Sequence, residues 1–195
     1  MTLLFCHSER SEESLFLFRG VNRREIPRFA RNDKMLIFVA ACSVGACPTV
    51  VQISMIVNRQ RRVPVAIHPL QKFYERVRRE LGFAPESVTI QLISDENMAQ
   101  LNETFRKKQG PTDVLSFPAD GACPGQDAEY VGDIAISPET ARRNARRYSR
   151  SLPVELRILI LHGMIHLAGY DHEKDHGEMD RFERRLRKRL GVNAR

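Results

Sequence analysis

The residues best suited to chemistry in this chain are His162, His166 and His172, at positions i, i+4 and i+10 of the stretch HGMIHLAGYDH. On a helix, positions i and i+4 project from one face a turn apart, so His162 and His166 present their imidazoles together. Gly169 tolerates positive φ and lets the chain leave the helix. His172 can then turn back and complete a facial set of three nitrogens. Three neutral imidazoles with one open tetrahedral position are the arrangement of a catalytic zinc, whose water titrates near pH ~7. The competing reading is three core histidines with satisfied hydrogen bonds, and the spacing around a helix-ending glycine favours the metal. Asp171 and Tyr170 are candidates to orient a ligating ring, because the second N–H of such a ring donates to a carboxylate or carbonyl. They read equally well as a turn aspartate and a packed tyrosine.

The spacing matches the elongated zinc-peptidase pattern except at one residue. That pattern carries a glutamate, the general base, directly after the first histidine, and here the position is Gly163. Peptide hydrolysis therefore lacks its base. A metal could still polarise a substrate and activate water, and a phosphodiester would then need cationic help more than a carboxylate. His176, with Asp175, reads as a solvated helix start rather than a ligand. No role falls to His68, His7 or Cys123.

The elements that must position these residues are legible from residue 64 onward. HPLQKFYERVRRELG (68–82) is an amphipathic helix stopped by Gly82, and SVTIQLIS (87–94) alternates as a strand. SDENMAQLNETFRKK (94–108) opens on cap residues and acidic first-turn residues, predicting a second helix. TDVLSFPA (112–119) and VGDIAIS (131–137) read as strands around a Gly-, Pro- and Asp-rich loop. SPETARRNARRYSR (137–150) predicts an exposed basic helix. LPVELRILILHGMIHLAG (152–169) is apolar almost all round, which predicts a buried helix ending at the histidines. EMDRFERRLRKRLG (178–191) closes the region with Met179, Phe182, Leu186 and Leu190 on one stripe. The fold class expected is α+β: a small mixed sheet of about four strands packed with about five helices, the zinc site lying at the end of the buried helix.

At 195 residues with 42% hydrophobic content, the chain suits one domain with a real core. A formal net charge of +7 suits a polyanionic partner such as RNA, DNA or an anionic membrane. The four cysteines form no spaced framework, which fits a reduced cytosolic setting. Residues 1–34 hold no sustained periodicity. Residues 35–51, MLIFVAACSVGACPTVV, could serve as a secretory apolar region or a marginal anchor, though Pro48 weakens the latter. A plainer reading is a start codon placed too early, with Met35 and Met55 as later starts and Met55 favoured. Residues 1–54 are accordingly expected to be disordered or absent from the native protein, and residues 55–195 to form a single domain without stable membrane association.

LHGMIHLAGYDH (161–172), FRKKQGPTDVLSFP (105–118) and GDIAIS (132–137), in that chain order, resemble the bacterial YbeY endoribonucleases, also described as ribosomal RNA maturation factors. The resemblance covers about residues 55–190 and none of the first 54. It implies a zinc-dependent, single-strand-specific endoribonuclease of the bacterial cytoplasm, with one Zn2+ per chain on His162, His166 and His172. The implied task is maturation of the small-subunit ribosomal RNA 3′ end and ribosome quality control, with ribosomal RNA, the small subunit and its assembly factors as partners. The functionally essential arginine of the family's R-x-K segment falls on Arg106, with Lys108 beside it. The sequence departs from the family's usual L-H-L at Ile165, a conservative apolar change, and in its N-terminal extension.

Residue chemistry agrees with that transfer. Arg106 offers a planar fork of donors to a phosphate and Lys108 a point charge; without the family they would read as solvated charges at a helix end. Asp133 could orient a histidine or merely end a turn. Arg142, Arg146 and Arg147, among the arginines of 137–150, could follow an RNA backbone, as could the C-terminal helix, with affinity but no sequence specificity. The alternative of a different class is a non-catalytic ribosome-assembly or RNA-binding factor with structural zinc. A fourth protein ligand such as Asp175 or His176 would favour it.

Overall fold

The computed structural model describes residues 54–119, 130–171 and 175–192, together with the two-residue strand Leu4–Phe5. In chain order the elements are β1 (Leu4–Phe5), β2 (Ile56–Asn58), α1 (Ile67–Glu80), β3 (Val88–Leu92), α2 (Asp95–Arg106), β4 (Val114–Pro118), β5 (Gly132–Ile136), α3 (Pro138–Arg147), α4 (Leu152–Leu167) and α5 (Glu178–Leu190). The α+β expectation holds. Three of the four longer strands and all five helices sit where periodicity places them. β2 has only three residues, too few to show a period. β1 comes from the N-terminal segment and pairs antiparallel with β4 through Leu4 opposite Ser116 and Phe5 opposite Leu115.

Local chemistry sets the helix ends. The Ser94 hydroxyl accepts from the Asn97 amide at 3.4 Å and the Ser137 hydroxyl from the Thr140 amide at 3.3 Å, capping α2 and α3. After α4, Gly169 adopts φ +92°, the left-handed conformation that turns the chain away from the helix axis.

The sheet runs β1-β4-β5-β3-β2. β3 runs parallel to both its neighbours, β2 and β5, and β4 is antiparallel to β5. Because side chains alternate across a strand, the sheet has two dressed faces. Val88, Ile90, Leu92, Val114, Ile134 and Ile136 share a core with α1, α4 and α5. Ile93, Leu115, Phe117 and Ala135 share a smaller one with Met98, Leu101 and Phe105 of α2.

α4 lies against β4 and β5, with α1, α3 and α5 around it, which is why its sequence is apolar on nearly every side. Gly163 lies close against the sheet. A Cβ there would stand 3.0 Å from Ile134 Cγ2 and 3.1 Å from Ser116 Oγ, and the Ser116 hydroxyl donates to the Gly163 carbonyl at 3.3 Å. A glutamate at this position would point into the sheet. The missing peptidase base is thus a packing requirement as well as a chemical absence.

Candidate metal centre

His162 and His166 project from the last turns of α4 as their spacing requires, 5% and 0% exposed. Their Nε2 atoms approach to 2.9 Å. His162 Nδ1 lies 2.9 Å from Glu183 Oε2, and His166 Nδ1 lies 3.0 Å from the Tyr170 carbonyl. An ionised carboxylate and a backbone carbonyl can only accept, so both Nδ1 atoms carry hydrogen. The two Nε2 atoms are then left to face each other at 2.9 Å. At that separation a cation, one shared proton or a metal ion, lies between them, and two buried imidazoles held in this way form a donor set that a metal fits. His172, the third member of the expected set, lies outside the described residues. Among the described residues alone, no group of three metal-ligating side chains gathers.

Glu183 is the partner that sequence reasoning missed. It stands on α5, buried, with one carboxylate oxygen on His162 and the other taking a hydrogen bond from the Arg187 guanidinium. Burial alone would raise its pKa, but the hydrogen bond from His162 and the charges of His162 and Arg187 outweigh burial and hold it down to about 2. The signal was present: Glu183 falls within the apolar stripe Met179, Leu186, Leu190, and a carboxylate on a buried face requires a partner.

The other expected residues fall in different places. Tyr170 does meet His166, but through its backbone carbonyl; its ring turns outward, 36% exposed, and stacks on Phe182. Asp171 is half-buried, and its carbonyl accepts from the Asp175 amide at 3.1 Å. Asp133 is not brought to the histidines. It alternates with Ile134 and so lies on the α2 side of β5, where Oδ1 accepts from the Tyr130 hydroxyl at 2.8 Å. Burial pushes its carboxyl up to about 6 against the pull of that hydrogen bond. Arg106 ends α2 half-buried and Lys108 is exposed just beyond it. Arg142, Arg146 and Arg147 are all exposed on α3.

Asp113, at the start of the segment 112–119 that reads as a strand, lines a cavity of about 100 Å³ together with His162, Arg150, Glu155 and Arg187. Its carboxylate accepts from the Val114 amide at 3.0 Å and from Asn144 Nδ2 at 3.0 Å. Burial pushes this carboxyl up to about 6, opposed by the backbone amides of Asp113 and Val114, the Thr112 hydroxyl and His162. A carboxyl of that kind beside His162 can hold or release a proton near neutral pH.

Fold and site together define an α+β protein with a converging histidine pair at the end of a buried helix. The sequence profile described as Endoribonuclease YbeY matches residues 55–191. An Endoribonuclease YbeY of Koribacter versatilis is 43% identical over 138 residues, 70% of this chain and 85% of the relative. One of Solibacter usitatus is 40% identical over 134 residues, 68% of this chain and 86% of the relative. The solution structure of TM1509 from Thermotoga maritima aligns with a TM-score of 0.46 at 31% identity, covering 63% of this chain and 79% of that one. The chain belongs to the YbeY endoribonuclease family.

Proposed function

We propose that this chain is a zinc-dependent, single-strand-specific endoribonuclease that acts in maturation of the small-subunit ribosomal RNA 3′ end and in ribosome quality control. The observation that carries the reading is the pair of buried Nε2 atoms at 2.9 Å, each with its Nδ1 hydrogen given to an acceptor, in a chain of this family. His162, His166 and His172 would hold one Zn2+. When bound, zinc supplies Lewis acidity toward a phosphodiester oxygen and lowers the pKa of water. The chain's own residues do the rest. Glu183 and the Tyr170 carbonyl fix the two ring orientations. Asp113, in the cavity it shares with His162, can take up or release a proton near neutral pH. Arg106 and Lys108 neutralise charge that develops on the scissile phosphate. Exposed Arg142, Arg146 and Arg147 follow the RNA backbone and give a salt-dependent affinity.

The substrate reading places the protein with ribosomal RNA, the small subunit and its assembly factors in the cytoplasm. None of the described helices is long and apolar enough to cross a membrane. The alternative, a non-catalytic assembly factor with structural zinc, needs a fourth protein ligand. Of the residues suggested for it, Asp175 accepts from the Gly177 and Met179 amides at 2.8 and 2.6 Å at the start of α5, and the His176 side chain is exposed.

The test is cleavage of a structured ribosomal RNA fragment by the full chain and its His166→Ala and Arg106→Glu variants, with zinc per chain and chelator controls. Cleavage should vanish with zinc in His166→Ala and fall in Arg106→Glu with zinc retained. Cleavage that persists after zinc is lost refutes the reading.

A further inference from the structure

Two large hydrophobic side chains among the described residues are exposed, Tyr148 at 42% and Tyr170 at 36%. Tyr170 has the more specific surroundings. Its ring stacks on Phe182 of α5 with centroids 4.8 Å apart and planes 19° from parallel. The Arg185 guanidinium lies 5.4 Å above the Phe182 ring, and Arg181 Nη1 donates to the His176 carbonyl at 3.1 Å. Tyr170, Phe182, Arg181, Arg185 and Glu178 line an open depression of about 340 Å³, ample for a nucleobase. Glu178 is its one acid, opposed by two arginines.

This aromatic surface adjoins the metal centre through covalent structure, since the same Tyr170 whose ring forms the platform gives its carbonyl to His166. The backbone performs the orienting task, which any residue type would do. The ring is therefore left to serve another purpose. An exposed aromatic face beside guanidinium groups is how proteins hold single-stranded nucleic acid, because every base has a face to stack and every phosphate a charge. A base within a duplex has both faces covered and cannot enter.

We propose that Tyr170 stacked on Phe182, flanked by Arg181 and Arg185, is a subsite that binds one unpaired base of single-stranded RNA and its neighbouring phosphates beside the metal centre. It rests on the endoribonuclease reading and gives that reading a source of single-strand preference.

The chain contains no tryptophan, so Tyr170→Trp places a unique reporter at the platform. In the zinc-loaded full chain, its fluorescence should be quenched by a single-stranded oligoribonucleotide and not by the same sequence in a duplex. Affinity for the labelled single strand, read by anisotropy with the RNA verified intact, should fall about 5- to 100-fold in Tyr170→Ala and be restored in Tyr170→Phe, since base stacking needs the ring and not the hydroxyl. Arg181→Ala and Arg185→Ala should each reduce the slope of log affinity against log salt by about 0.7. An unquenched Tyr170→Trp, or single-strand affinity unchanged in Tyr170→Ala, overturns the subsite. That failure is separable from failure of the enzymatic reading: with normal binding by Tyr170→Ala and cleavage abolished in His166→Ala, only the subsite falls.

Discussion

Replacing Glu183 tests whether the histidine pair is built for a metal. Its carboxylate spans His162 Nδ1 at 2.9 Å and the Arg187 guanidinium, with a side chain 7% exposed. Glu183→Gln keeps shape and an acceptor for Nδ1 but removes the charge. Hydrogen bonds to charged groups contribute about 1 kcal/mol more than neutral ones, so zinc affinity should fall about five- to tenfold. Glu183→Ala removes the acceptor as well, and loss of such an outer partner costs about 10- to 100-fold in metal affinity. The assay is competition with a chromogenic chelator at fixed pH, alongside thermal unfolding of the metal-free proteins. If wild type, Gln and Ala bind zinc within about twofold of one another while all three are folded, Glu183 does not hold His162 for a metal.

Gly163→Ala should destabilise the fold in urea titration. Overpacking against Ile134 and Ser116 costs about 1–3 kcal/mol, more than the gain of up to about 1 kcal/mol from helix propensity; an alanine variant as stable as wild type refutes the close approach. Asp133 should make stability fall as pH rises. Its folded carboxyl sits at about 6 against an ordinary 3.8, so between those values the folded state keeps a proton that the unfolded chain releases, and the difference is complete above about 6. Asp133→Asn should be more stable than wild type at pH 8 by about 2 kcal/mol, after discounting for partial exposure, and no more stable at pH 4. Equal pH dependence of the two proteins would show that Asp133 stays ionised in the fold.

The parts of this molecule that were legible in sequence are those governed by local rules. Ser94 and Ser137 cap their helices because the capping bond closes within three residues, and His162 and His166 converge because helical geometry fixes i and i+4. Relations across elements were not legible. Nothing local says that Asp133 and Ile134, adjacent in sequence, serve opposite faces of a sheet whose strand order must first be known. Tyr170 was singled out for its nearness to the histidines, yet its backbone and its ring do different things, a distinction set by how the chain turns after Gly169. Glu183 lies 21 residues beyond His162 in sequence, so only a buried carboxylate in an apolar stripe hinted at its role.

α5 brings these threads together. Met179, Leu186 and Leu190 bury one side of it and fix its height along α4. That docking sets Glu183 against His162, and it carries Phe182 under the Tyr170 ring on the exposed side. A single packing interface thus orients the His162 imidazole and stacks the Tyr170 and Phe182 rings close to it. The two cannot be tuned separately by moving the helix: a shift of one turn would remove the carboxylate from His162 and unstack Tyr170 together. The dense arginines of α5 follow from the same placement. Arg187 is drawn inward to Glu183, while Arg181 and Arg185, on the exposed side with Phe182, line the open depression beside Tyr170.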